Sequence, residues 1–381
     1  MDLPGKKVVV SVISDLVTDQ RVHRTCLTMR EQGAHVLLVG RQLRSSLEMS
    51  SRPYYFKRFR LWFERGPLFY AVFNLRLFFF LIFEKADLLV ANDLDTLPAN
   101  FFASKIKGIP LIYDSHEYFT EVPELVNRPL VRNFWKRIEK AILPKLKHVI
   151  TVNESIAELY SKEYDRNVKV VRNIPISDPF GHTSYSHKSH RSDYGLPEDR
   201  FIFLMQGSGI NMQRGAEEAL EAIARVNGAL LLIVGGGDVI EILKARSKDP
   251  GLSGKVIFLP KLPLQELRKV TILADAGLSL DKDTNINYRF SLPNKLFDYI
   301  HANIPVLVSD LPEVAKIVRK YDIGIIAPSV DPETIARCMR EMMLQAHDRL
   351  VQWKENLNFA ASELDWRNER ERLLDVVRDV S

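Results

Sequence analysis

The amino-acid sequence predicts an α/β protein made of two doubly wound, parallel-sheet domains facing a central cleft. Three observations lead there. The chain has 381 residues, too many for one ordinary hydrophobic core and enough for two. Short apolar runs alternate with helix-period segments from one end to the other, as parallel strands covered on both faces require. A polar stretch near the middle, DPFGHTSYSHKSHRSDYG at residues 178–195, has no apolar period and reads as a linker or surface loop.

In the first half, strands are expected at residues 7–13, 35–40, 54–61, 87–92, 110–114, 148–152 and 169–172. Helical patterns lie between most of them, for example at 22–32 and 132–143. After the polar stretch the alternation restarts, with strands at 201–206, 229–234, 256–259, 276–280, 305–309 and 324–326. Helices are expected to start near Arg214, Val239, Leu264, Pro293, Pro312 and Asp331. Residues 363–380 form a charged amphipathic helix whose apolar set is Leu364, Trp366, Leu373, Leu374 and Val377. The expected domains are residues 1–173 and 174–352, with a helical segment at 353–381.

Composition narrows the class. At 46% hydrophobic and 27% charged residues, the chain is a folded globular protein. Cys26 and Cys338 are far apart and lack metal-ligand spacing, so neither a disulfide framework nor a zinc site is expected, and a cytoplasmic location fits. The apolar run from Val8 is broken at Asp15, too soon for a signal peptide. The formal charge of +5 is unevenly placed. Residues 52–85 carry Lys57, Arg58, Arg60, Arg65, Arg76 and Lys85 among many aromatics. The apolar end of this stretch is shorter than the ~20 residues a spanning helix needs. It reads either as a helix packed on a sheet or as an amphipathic helix lying on an anionic membrane, the inner face of the plasma membrane. No nucleic-acid-binding motif accompanies the basic residues.

Two segments of the second half carry chemistry. In NYRFSLPNKLFDYIHANIPVLVSD, Ser291 is placed to cap a helix and Pro293 suits its first turn. Lys295 then lies near the positive end of the helix dipole, a costly position that a bound anion makes favourable. Asp298, one turn on, can accept hydrogen bonds from ribose hydroxyls. In the other segment, a strand runs into Gly207-Ser208-Gly209, and Gln213-Arg214-Gly215 opens a helix. The glycines admit close backbone approach, and Arg214 offers a fork for phosphate oxygens. Met212 stands where the dinucleotide fingerprint needs its third glycine, which disfavours NAD chemistry. Gly235-Gly236-Gly237-Asp238 is a tight strand-to-helix turn, with Gly236 a second candidate for the nucleotide.

In the first half, Asn92-Asp93-Leu94-Asp95 and Asp114-Ser115-His116-Glu117 both follow buried-looking strands, where parallel sheets present active-site groups. His116 reads as a hydrogen-bond partner of a sugar hydroxyl, a proton carrier near neutral pH, or a capping or turn histidine. The D-x-D patterns at Asp93 and at Asp281-Lys282-Asp283 are not read as metal sites.

Taken in order, these motifs resemble the retaining GT-B glycosyltransferases of family 4 over nearly the whole chain. Asp19-Gln20-Arg21-Val22 resembles the opening loop of that family. Asn92-Asp93 and Leu111 through Glu117 resemble its acceptor-side strand ends, and Arg172-Asn173-Ile174-Pro175 its domain junction. Gln213-Arg214-Gly215, Val234 through Gly237 and Leu292 through Tyr299 resemble its donor-side motifs. The resemblance implies two Rossmann-like domains and transfer of a sugar from a nucleotide diphosphate, with retention and no required metal or cofactor. A UDP-sugar is favoured and a GDP-sugar is the alternative; the acceptor is a glycan or lipid-linked species of bacterial surface polysaccharide.

The same resemblance implies the site. Arg214 and Lys295 neutralise the departing diphosphate, with Gly207, Gly209, Gly236, Asn294, Leu296 and Asp298 around the donor. Asp19, Arg21, Asp93, His116 and Glu117 lie on the acceptor side, His116 near the reacting sugar. The family's C-terminal helix closes back on the first domain. One departure stands out: the first glutamate of E-x7-E falls on Phe290, with Asp283, Asn285, Asn287 and Tyr288 upstream as substitutes. Two other functions share the layout, a nucleotide-sugar epimerase and a two-lobed sugar-binding protein.

Overall fold

The computed structural model describes residues 1–17, 19–46, 48–126, 128–176 and 190–380; residues 178–189 of the expected linker lie outside the described residues. The chain divides into two compact units, one of Met1–Asn173 with Arg367–Ser381, the other of Ile174–Trp366.

The first unit contains β1 (Lys7–Asp15), α1 (Gln20–Glu31), β2 (His35–Gln42), β3 (Tyr55–Arg60), α2 (Pro67–Phe83), β4 (Leu88–Asn92) and α3 (Leu97–Lys107). It continues through β5 (Leu111–Ser115), α4 (Pro123–Val126), α5 (Pro129–Ile142), β6 (His148–Thr151), α6 (Glu154–Tyr164) and β7 (Val168–Val170). Its seven strands lie in the order β3-β2-β1-β4-β5-β6-β7, every pair parallel. β4 and β5 are buried at every position, as expected for central strands sandwiched between helix layers.

The second unit contains β8 (Phe201–Gly207), α7 (Ala216–Ala224), β9 (Ala229–Gly235), α8 (Ile240–Arg246), β10 (Val256–Leu259), α9 (Leu264–Ile272) and β11 (Ala276–Ser279). Then follow α10 (Ile286–Arg289), α11 (Asn294–His301), β12 (Val306–Ser309), α12 (Pro312–Tyr321), β13 (Gly324–Ala327) and α13 (Pro332–Glu363). The six strands run β10-β9-β8-β11-β12-β13, again all parallel. Alternate residues of β8 enter two core clusters: Phe203 and Met205 in one, Ile202 and Leu204 in the other. That alternation is the period of two expected of a strand with helices on both sides.

Each sheet reverses its winding once, between β1 and β4 in the first unit and between β8 and β11 in the second. At such a switch point neighbouring loops leave in opposite directions and open a crevice beyond the carboxyl ends of the strands.

Two expectations change. Residue 353 falls inside α13, which is unbroken to Glu363; Leu357, Ala360, Ala361 and Leu364 pack in the second unit's core, and the chain leaves that unit only after Trp366. The final helix, α14 (Trp366–Arg378), joins the first unit through Arg367–Ser381, with Leu373, Leu374 and Val377 buried. Glu369 anchors it, accepting from the Arg172 backbone N–H at 2.9 Å and Nε at 2.8 Å. Ser291 does not cap α11: the capping position belongs to Pro293, and the buried Ser291 hydroxyl has no hydrogen-bond partner. The two intervening residues put Ser291 too far upstream to reach the free N–H groups of the first turn.

Candidate active site

In the second unit the switch-point loops carry the charge. The loop after β8 is knitted to the turn after β9. Ile210 N–H donates to the Gly236 carbonyl at 2.8 Å, Gly236 N–H to Gly207 at 3.2 Å, and Met212 N–H to the Asp238 carboxylate at 2.9 Å. The close approach depends on glycine: at Gly235, with φ +134°, an added Cβ would lie 1.8 Å from the Gly207 carbonyl oxygen. Further along the loop, Gln213 adopts φ +68° and accepts from Lys282 N–H at 3.0 Å. Gly215, at φ +77°, passes so near Leu280 that a Cβ would sit 2.3 Å from its carbonyl oxygen. These contacts bring Arg214 against the residue after Leu280, which is Asp281.

Lys295 comes from the first turn of α11, which is fixed by the burial of Leu296, Phe297, Tyr299 and Ile300. Its ammonium lies 3.6 Å from Asp281 Oδ1, and Arg214 Nη1 lies 3.7 Å from the same oxygen. The structure therefore brings together the two cations that the sequence named. The Arg214 guanidinium also stacks 4.9 Å above the Tyr288 ring. Burial pushes the Lys295 pKa below its usual value; Asp281 opposes that shift and Arg214 adds to it.

Asp298 is one turn from Lys295 and accepts from Gln206 Nε2 at 3.1 Å. Gln206 accepts in turn from the Thr271 hydroxyl at 2.7 Å. These three residues border a cavity of about 580 Å³ that also meets Leu264, Leu267 and His301. Gly207 ends β8, Gly209 lies in the loop after it and Gly236 follows β9, and nothing stands within 4 Å of a Cβ built on Gly236. Asn294 is exposed. Leu296 is fully buried, with its N–H bonded to the Pro293 carbonyl, so its side chain belongs to the core.

Phe290 ends the short helix α10, with the Arg289 guanidinium 5.9 Å from its ring. Among its upstream neighbours, Asn285 caps α10 and Asp283 pairs with Arg289 at 3.6 Å. Sequence reasoning passed over Asp281, treating it only as part of a D-x-D. The available signal was its position directly after an apolar strand.

In the first unit, Asp19 caps α1, accepting from Val22 N–H at 3.0 Å and from the Ser14 hydroxyl at 2.7 Å. The cap delivers Arg21 into the switch point, where it is 3% exposed and makes a two-pronged pair with Asp114 at 2.7 and 3.1 Å. His116 completes the chain: Nδ1 lies 3.2 Å from the Asp93 carboxylate, and Nε2 lies 3.1 Å from the Asn92 side-chain oxygen and 3.4 Å from Asp114. Asp93 holds φ +60° and also accepts from His116 N–H at 2.8 Å. Burial alone would lower the His116 pKa, but Asp93 and Asp114 raise it to about 9. Burial would raise Asp114, yet Arg21 and His116 hold it at about 2. The two carboxylates therefore favour the protonated ring, which is a donor at both nitrogens. Glu117 is exposed beside it. Burial pushes the Asp95 carboxyl well above its usual range, with Asp93 adding to the shift. Among the described residues no group of three His, Cys, Asp or Glu side chains is placed to hold a metal ion.

Comparison with known proteins agrees with this layout. The model for Glycosyltransferase Family 4 matches residues 19–174, and that for Glycosyl transferases group 1 matches residues 186–358. Among solved structures, a sucrose-phosphate synthase from Thermosynechococcus elongatus superimposes with a TM-score of 0.77 at 14% identity, covering 98% of both chains. The glycosyltransferase WaaG, involved in lipopolysaccharide biosynthesis, gives 0.74 at 16% identity, over 98% of this chain and 100% of its own. HepE from Anabaena in complex with UDP-glucose gives 0.73 at 15% identity, with the same coverage. A sequence search of curated proteins finds no match. With two parallel-sheet units, the two family models in tandem along the chain, and an arginine–lysine pair at the second unit's switch point, the chain belongs to the family 4 type of GT-B glycosyltransferases.

Proposed function

We propose that this glycosyltransferase takes its sugar from a nucleoside diphosphate, a UDP-sugar in the first instance, and transfers it with retention and without a metal. The convergence of Arg214 and Lys295 at the switch point of the second unit carries the reading. Two cations there suit a diphosphate leaving group, whose growing charge is best met by positive groups already in place. Asp298 suits the ribose hydroxyls, and the cavity beside it suits the remaining nucleoside. The UDP-glucose in the Anabaena HepE structure favours uridine over guanosine. In the first unit, His116 is suited to donate a hydrogen bond to a sugar oxygen, at the expense of one of its present partners. A thermal-shift panel of UDP, GDP and ADP tests the donor, since binding raises stability by mass action. UDP should give the largest shift. Arg214→Ala and Lys295→Ala should each lower turnover by roughly two orders of magnitude. Near-normal rates in both variants overturn the reading.

The acceptor is, on this proposal, a glycan or lipid-linked intermediate of bacterial surface polysaccharide, met at the cytoplasmic face of the membrane. The role of WaaG in lipopolysaccharide biosynthesis supports the pathway class. A surface of the first unit supports the location. Along α2, Leu68, Leu75, Phe79 and Phe83 are exposed while Phe69, Phe73, Leu77 and Leu81 are buried, so the helix is apolar on two faces. Asn74 bonds to Asp95 at 2.7 Å and Lys107 to the Leu81 carbonyl at 2.9 Å, so α3 runs beside α2 in the same direction. Its exposed Phe102 and Ile106 therefore lie level with the exposed residues of α2. Among the described residues no helix is long and apolar enough to cross a membrane. An apolar row flanked by lysine and arginine suits contact with an anionic lipid surface.

A further inference from the structure

Asp281 is an odd resident for a site read as binding anions. It lies two residues past the end of β11 and is 1% exposed, and neither carboxylate oxygen makes a hydrogen bond. A buried carboxylate so placed must have a compensating charge. Its compensation is the cation pair itself, with Arg214 and Lys295 both within 3.7 Å of Oδ1. The two neighbours in its D-x-D are engaged elsewhere: Lys282 pairs with Glu218, and Asp283 with Arg289. The placement is built by the fold, because Gly215 admits the close passage at Leu280 that brings Arg214 to it.

We infer that Asp281 is a positioning residue of the donor site, a fixed counter-ion that holds Arg214 and Lys295 side by side and keeps Lys295 charged before a diphosphate arrives. The inference rests on the reading of that pair as the diphosphate grip. Two like charges in a confined, partly dry space repel each other, and of the two only lysine can respond by losing its proton. Around Lys295 the charged groups are Asp281 after β11, Arg214 from the loop after β8, and Asp298 on its own helix, which is bonded to Gln206. Burial and Arg214 push the ammonium toward deprotonation, and Asp281 opposes them. Without that carboxylate, Lys295 should become neutral at lower pH, and the grip on the diphosphate should weaken there.

The test is calorimetric binding of UDP and GDP to the full chain from pH ~6.5 to ~9.5, a span that ends below the ordinary lysine value of ~10.4. Wild type, Asp281→Asn, Asp281→Glu and the double variant Asp281→Asn/Lys295→Arg are compared. Asp281→Asn should bind about as well as wild type at the acid end and lose severalfold more affinity than wild type by the alkaline end. Asp281→Glu, which keeps the charge, should follow wild type even if Asp281→Asn proves poorly folded. The double variant should lose the added pH dependence, because its guanidinium does not deprotonate. Parallel profiles for wild type and Asp281→Asn overturn the inference, as does a Glu variant that behaves like Asn. If wild type binds neither nucleotide, the reading of the site fails and takes the inference with it.

Discussion

His116 shows how a single residue's role is set by its partners. In sequence it is one histidine after a strand, open to several roles. In the fold it faces two carboxylates, which raise its pKa to about 9. The sign of the resulting pH dependence is definite. A histidine with a raised folded-state pKa gives stability that is fully present below ~6.5 and lost as pH rises through about 9. Asp114 works in the other direction: its depressed pKa gives stability present above ~4 and lost as pH falls through about 2. His116→Gln should therefore destabilise the protein by roughly 3 kcal/mol at pH ~6 and by much less at pH ~10, read from denaturant unfolding. An equal loss at both pH values would show that the paired charge contributes nothing. The lysine and arginine of the second unit were legible as residues because strand-to-helix turns ending in Arg or Lys suggest phosphate. Asp281, which ties them together, was not, since its partners lie 67 and 14 residues away in sequence.

At the scale of elements, the strand pattern was legible because parallel strands in a two-sided sheet are nearly continuous apolar runs, and all thirteen expected strands exist within a few residues of their predicted limits. Loop conformation was less so. The glycines at the end of β9 look alike in sequence, yet they do different work. Gly235 abuts the Gly207 carbonyl, whereas Gly236 opens to unoccupied space. Gly235→Ala should cost about 3 kcal/mol or more, as a Cβ at positive φ against a backbone oxygen demands. Gly236→Ala should leave stability within about 0.5 kcal/mol of wild type, as for an unstrained surface change. If Gly236 borders the donor, that variant should still weaken UDP binding. Equal stability losses in the two variants, measured by thermal unfolding, would contradict the observed packing. The end of α13 was also hidden from the sequence, because helical periodicity continues through residue 353 and only core contacts decide where the chain changes unit.

For the whole molecule, charge is the property that composition conceals. The net charge of the chain is +5, while residues 52–85 alone hold seven Lys and Arg against two Glu, a surplus of five; the rest of the chain sums to zero. Lys57, Arg58 and Arg60, the charges that the sequence suggested for membrane contact, are engaged within the first unit. Lys57 lies over the Phe80 ring at 4.6 Å, Arg58 meets Asp15 at 3.8 Å, and Arg60 donates to Gln42 at 3.1 Å. The exposed aromatics of α2 are the better probe. Phe79→Ser with Phe83→Ser should reduce sedimentation with phosphatidylglycerol vesicles severalfold and leave the melting temperature unchanged, since both rings face outward. Wild-type protein that stays in the supernatant would remove the membrane from the proposal. By itself the sequence indicated the two-unit α/β architecture, the succession of strands along the chain and Arg214 and Lys295 as candidate cations, because apolar periodicity and turn chemistry are local. Only the tertiary structure decided that those cations share one buried carboxylate, that His116 lies against both Asp93 and Asp114, and that the chain changes unit only after Trp366. Each of these depends on electrostatics or packing between residues that are distant in sequence and adjacent in space.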